Sequence, residues 1–143
     1  MKCLLDTNVY LEAVRTEARR SQFRTTFFPL LPATFLSAVV AYELSVNARE
    51  RSTRTRLLDF VRPMERTGRL VTPSFDDWLE AAELVSAIGE GDRGWRSKLP
   101  ALLNDILIAL SARQIGATLF TYNREDFRLI RRYMDFSLRI LEG

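Results

Sequence analysis

Four acidic residues in this chain occupy places where an acid is hard to explain as ordinary surface: Asp6, Glu43, Asp105 and Asp126. Asp6 ends the short apolar run Cys3-Leu4-Leu5, and α/β sheets carry functional groups at the ends of such strands. As an acid ahead of Thr7-Asn8 it also reads as a helix cap. Glu43 interrupts the apolar segment from Leu36 to Val46 and falls on the helical face of Val39, Val40 and Val46. A carboxylate desolvated on such a stripe must be paired, protonated or bound to a cation; an arginine is the alternative partner. Asp105 lies beside the stripe Leu102, Leu103, Ile106, Leu107 and Leu110, with Ala101 and Ala109 a turn away. Those small neighbours leave a concavity where a carboxylate can meet an ion; the alternative is an exposed acid at the stripe's margin. Asp126 follows Asn123 by three residues, which suits a first-turn acid favoured by the helix dipole. Its helix follows a buried strand, so its N-terminus should face the same crevice as Asp6.

Three or four carboxylates converging on one crevice cannot all ionise comfortably without a cation. Coordination by oxygen alone selects hard ions, Mg²⁺ or Mn²⁺. Such an ion can lower the pKa of bound water and stabilise charge on a phosphoryl oxygen. The chain contains no histidine, which excludes Ser-His-Asp triads, imidazole zinc sites and histidine acid–base ribonucleases. Its one cysteine, Cys3, cannot form an internal disulfide or a thiolate zinc cluster; beside two leucines it reads as a small buried hydrophobe. The formal net charge is +3, and all but Lys2 and Lys98 of the 21 basic residues are arginine. Arginine is the better bidentate partner for phosphate, although arginine-rich coding accounts for the bias equally well. With four acids neutralised on a cation the positive balance would rise by four, which suits a polyanionic partner.

These residues need a frame. A chain of 143 residues is the length of one domain, and 47% apolar with 27% charged residues is an ordinary globular composition. No apolar run is long enough for a membrane span. An acid at position 6 comes too early for a signal peptide, so a cytoplasmic protein is expected. Short apolar runs alternate with longer amphipathic ones, which predicts an α/β fold with a mostly parallel sheet. Strands are expected over 2–5, 34–37, 70–72, 117–121 and 136–141. Helices are expected from a cap at Thr7 or Asn8 to 15, over 17–28, as one long helix over 38–61 ending before Pro63, and from the Ser74–Asp77 capping box to 88. Two more follow, over 100–115 with Gly116 as C-cap and from Asn123 to 133.

Within this frame, the ordered set Leu5-Asp6-Thr7-Asn8-Val9, the lone Glu43, Asn104-Asp105-Ile106-Leu107-Ile108-Ala109 and Thr121-Tyr122-Asn123-Arg124-Glu125-Asp126-Phe127 resembles the PIN domain. It is most like the toxins of bacterial toxin–antitoxin pairs of the VapC type. The resemblance covers the chain from end to end, including the last strand, although Leu107-Ile108 is bulkier than many members show. It implies a single PIN-like nuclease domain over 1–143, a three-layer α/β/α fold with a central sheet of about five strands. It further implies an endoribonuclease dependent on Mg²⁺ or Mn²⁺, cutting RNA in line to leave 5′-phosphate and 3′-hydroxyl ends. A small cognate antitoxin and a homodimer are also implied. Residue by residue, Asp6, Glu43, Asp105 and Asp126 match the family's metal-binding acids, Thr121 its site-edge hydroxyl, and Asn8 its motif asparagine. The alternatives are a catalytically silent RNA- or protein-binding PIN domain, or a metal nuclease directed at DNA.

Other signals carry less. Gly89-Glu90-Gly91-Asp92-Arg93-Gly94 spells a dinucleotide fingerprint but follows a helix instead of a strand, so a flexible loop is expected there. Arg49, Arg51, Arg54 and Arg56, expected late on the long helix, read as a solvated face or as a contact for RNA or antitoxin. Arg128, Arg131 and Arg132 admit the same two readings. Phe23, Phe27, Phe28, Leu30 and Leu31 are either core or a surface for a partner. A haloacid-dehalogenase-type phosphatase wants a second acid at position 8, which is Asn8. A response-regulator receiver wants a lysine late in the sheet, and 117–143 contain none.

Overall fold

In the computed structural model, which describes all of Met1–Gly143, five parallel strands form one sheet in the order β3-β2-β1-β4-β5. They are β1 (Cys3–Leu5), β2 (Thr34–Ser37), β3 (Leu70–Val71), β4 (Thr118–Thr121) and β5 (Ser137–Ile140). Central β1 is apolar at every position and buried throughout, as a strand covered on both faces must be. Its Leu4 lies level with Phe35 of β2 and Leu119 of β4. Alternate residues then face opposite layers. Leu4 and Leu119 join the larger core, and Cys3, Leu5 and Phe120 join a smaller one.

Seven helices cover the sheet: α1 (Thr7–Ala13), α2 (Glu17–Phe27), α3 (Ala38–Asn47), α4 (Arg51–Arg66), α5 (Phe75–Gly91), α6 (Leu99–Ile115) and α7 (Arg124–Arg131). Val9 of α1 and Phe27 of α2 fill the smaller core. Helices α3 to α7 supply the larger one, which gives three layers. Leu107 and Ile108 are both buried in that core. The chain leaves β1 toward β2 and β3, then returns to the other side of β1 through β4. The reversal puts a crevice outside the carboxyl ends of β1 and β4.

Several expectations need correction. The single helix over 38–61 is two helices, broken at Ala48, whose ψ of 81° leaves the helical region. The break is stabilised locally. Ala48 is buried, its N–H donates to the Ser45 carbonyl, and Arg54 Nε donates to the Ala48 carbonyl. No glycine or proline marks it, so periodicity alone could not find it. Pro63 lies inside α4, one turn before its end, instead of beyond it. Arg49, Arg51, Arg54 and Arg56 therefore gather at the break and the start of α4, all exposed. The first helix is capped by Asp6, not by Thr7 or Asn8. Residues 89–91 continue α5, and 93–98 form a 3₁₀ turn, so the glycine-bearing stretch is not a loose loop. Gly91 is there for packing: a side chain at that position would run into the Tyr133 hydroxyl. Gly116 caps α6 in the left-handed region at φ 67°, as expected.

Candidate metal centre

The carboxyl ends of β1 and β4 bring Asp6 and Thr121 together. Asp6 is 4% exposed. Its Oδ1 accepts the Thr7 backbone N–H at 2.8 Å, and its Oδ2 accepts the Thr121 hydroxyl at 2.7 Å. Thr121 Oγ1 in turn accepts from Asn8 Nδ2 at 3.3 Å and from the Asn123 backbone N–H at 2.9 Å. Asn8 Oδ1 accepts the Tyr122 N–H at 3.2 Å. The first and fourth strands are thus stitched at their ends by side chains from both motifs. Burial pushes the Asp6 carboxyl up to about 6; its two hydrogen bonds oppose that shift, and the charges of Glu43 and Asp126 add to it.

Glu43 reaches the same place from α3. It is half-buried, and the arginine weighed as its partner is absent. Instead the Thr7 hydroxyl donates to Oε1 at 2.5 Å and Asn104 Nδ2 donates to Oε2 at 3.3 Å. The apolar face assigned to it was only partly right: Val40 is buried, but Val46 is 60% exposed.

Asp105 on α6 and Asp126 on α7 complete the group. Asp126 is held by Asn123, whose Nδ2 donates to Oδ2 at 3.0 Å while its Oδ1 accepts the Asp126 N–H at 3.2 Å. Burial comes first among the causes that push Asp105 up to about 9. A hydrogen bond with Asp126 and the charges of Asp6, Asp126 and Glu43 follow. Its neighbour Ala109 is fully buried whereas Ala101 is exposed.

Asp6 thus lies within reach of the charges of Glu43 and Asp126, and Asp105 within reach of all three. The donor set is all oxygen, which fits a hard divalent cation. As the side chains stand, no three acidic groups converge at ligating distance on one point. Asp6, Glu43 and Asp126 each accept a hydrogen bond from a hydroxyl or amide of the protein. Three partners escaped the sequence reading as site residues: Thr7, Asn104 and Asn123. Asn123 was foreseen as a cap; nothing in the sequence links Asn104 to a glutamate 61 positions away.

The PIN domain model matches residues 3–133, most of the chain. This protein belongs to the PIN domain family. Solved structures of similar fold include FitAB bound to an IR36 DNA fragment, with a TM-score of 0.68 and 20% identity over 99% of this chain and 98% of that one. VapBC2 from Rickettsia felis, bound to a DNA fragment from its promoter, gives 0.65 and 20% over 99% and 100%. VapBC-1 from nontypeable Haemophilus influenzae gives 0.64 and 19% over 98% of each chain. No curated protein matches the sequence. No helix is long and apolar enough to cross a membrane.

Proposed function

We propose that this chain, acting over 1–143 as one domain, is a divalent-metal-dependent endoribonuclease and the toxin of a toxin–antitoxin pair in the cytoplasm. The observation that carries the reading is the gathering of Asp6, Glu43 and Asp126, with Asp105 beside Asn104, at the crevice beyond β1 and β4 through the bonds of Thr7, Thr121, Asn104 and Asn123. These four residues would hold Mg²⁺ or Mn²⁺. A cation bound there supplies Lewis acidity and lowers the pKa of a coordinated water.

The protein's own residues do the rest. Thr121 donates to Asp6 and fixes its orientation, and Asn123 does the same for Asp126. Asp105, whose carboxyl holds its proton at neutral pH, would give it up when a cation binds. In the hydrolysis itself a water oxygen bonds to phosphorus as the bond to the 3′-oxygen breaks, leaving a 5′-phosphate and a 3′-hydroxyl.

Inhibition by a small antitoxin draws support from a different face. Two adjoining apolar clefts of about 440 and 410 Å³ share Tyr10, Val14 and Phe60. Arg20, Arg24 and Arg56 line them, and the buried Tyr10 hydroxyl has no hydrogen-bond partner. An amphipathic segment with acidic residues suits such a surface. The same reading pairs the chain with a second copy as a homodimer.

The test is cleavage of a mixed tRNA and ribosomal RNA pool by antitoxin-free protein, with Mg²⁺, Mn²⁺ or EDTA, beside Asp6→Asn and with single-stranded DNA as a control substrate. Cleavage that requires metal, spares DNA and disappears in Asp6→Asn is expected. Cleavage persisting in EDTA and in the variant would overturn the proposal.

A further inference from the structure

Glu43 differs from the other three acids in how it reaches the site. Asp6 leaves the end of β1, Asp126 opens the helix after β4, and Asp105 sits on the central α6. Glu43 extends from the second turn of α3, on a long side chain that must give up rotamer freedom to hold one geometry. Two donors, from two different elements, meet its two oxygens: the Thr7 hydroxyl from α1 and the Asn104 amide from α6.

Each of these donors adjoins another acid in sequence. Thr7 follows Asp6, and its backbone N–H donates to Asp6 while its hydroxyl donates to Glu43. Asn104 precedes Asp105 and spans from α6 to α3. An amide NH₂ can only donate, and this one points at a carboxylate oxygen. Each Glu43 oxygen takes one such bond in the structure, which leaves a further lone pair on each for a ligand.

We infer that Thr7 and Asn104 are positioning residues that clamp Glu43 as a preorganised ligand and so tie α3 to the helix that Asp6 caps and to the helix that carries Asp105. The inference rests on the metal-nuclease reading and adds to it a division of labour: two uncharged residues set the geometry of one charged one. Groups that orient a ligand in this way are worth about 10–100-fold in metal affinity or activity. Substrate binding should be untouched, because the clamp lies between protein groups.

The experiment measures Mn²⁺ affinity by calorimetry, together with kcat and KM for RNA, in Thr7→Val, Thr7→Ser, Asn104→Leu and Glu43→Gln, and in each clamp variant combined with Glu43→Gln. Circular dichroism melts confirm that each variant folds. The expected result is a loss of about 10–100-fold in Mn²⁺ affinity and kcat for Thr7→Val and Asn104→Leu, with KM unchanged. Thr7→Ser, which keeps the hydroxyl, retains affinity. In the Glu43→Gln background neither clamp variant lowers affinity further, since both act through that carboxylate. Losses that add fully to that of Glu43→Gln, or Mn²⁺ affinity unchanged by either clamp variant, would overturn the clamp. A wild-type protein that binds no Mn²⁺ would overturn the metal-nuclease reading itself, and the two failures are distinguishable.

Discussion

Asp105 shows how a single carboxyl can oppose folding while serving a site. Its pKa is pushed up to about 9 by burial first, then by Asp126 and the neighbouring charges. At neutral pH the free protein must therefore keep it protonated or tolerate a half-buried charge facing the other acids. Asn in its place keeps the shape, can donate to Asp126, and removes the ionisation. We expect Asp105→Asn to abolish metal-dependent cleavage while raising the melting temperature of the metal-free protein. The gain should be about 3 °C, the shift that ~1 kcal/mol produces in a chain of this length. Thermal melts in EDTA check this; a melting temperature lower than wild type would contradict it. Asp6 is a milder case, since Thr121 and the Thr7 N–H offset part of its burial.

At the scale of elements, the helix starts are where sequence chemistry acts most directly. Ser74 and Asp77 form a reciprocal capping box, with Ser74 Oγ accepting the Asp77 N–H at 3.1 Å and Asp77 Oδ2 accepting the Ser74 N–H at 3.0 Å. Helix α5 packs on α6 through Ala81, Leu84 and Ile88, and α6 carries Asp105. Ser74→Ala should cost about 1 kcal/mol, the usual worth of an N-cap side chain, read as a lower urea midpoint at unchanged slope. Cleavage per folded molecule should be unaffected, because the box is a local pair in the first turn of α5 and bonds to none of the four acids. The same capping chemistry does double duty at Asp6, which caps α1 and also belongs to the carboxylate group.

For the whole molecule, the two raised carboxyls set a pH dependence with a definite sign. A group that binds its proton more tightly when folded stabilises the fold fully below its unfolded pKa, and that contribution is lost as pH rises through the folded value. For Asp6 the window runs from the ordinary carboxylate range to about 6, and for Asp105 to about 9. The metal-free protein should therefore lose stability steadily from acid toward pH 9. A divalent cation must displace those protons, so its stabilisation grows over the same interval. The melting-temperature gain from saturating Mn²⁺ is expected to increase from about pH 6 to pH 9. A gain that is flat or falls with pH would show that these carboxyls do not hold the ion.

Much of this was legible in the residues themselves. Strand β2 fell on 34–37 as expected, the Ser74 box and the Gly116 cap were readable from local chemistry, and the order of the four acids pointed to one family. These are short-range signals: an apolar run, a capping side chain, a left-handed residue where glycine is favoured. The break at Ala48 was invisible because its cause is tertiary, a buried alanine and an arginine reaching back from the next helix. The partners of Glu43 were equally hidden. Sequence periodicity placed a carboxylate on a partly apolar face and required a partner, and arginine was the abundant candidate. Only the crossing of α1, α3 and α6 decided that a threonine and an asparagine would meet it, because hydrogen bonds depend on ångström-scale approach between segments 36 and 61 residues apart.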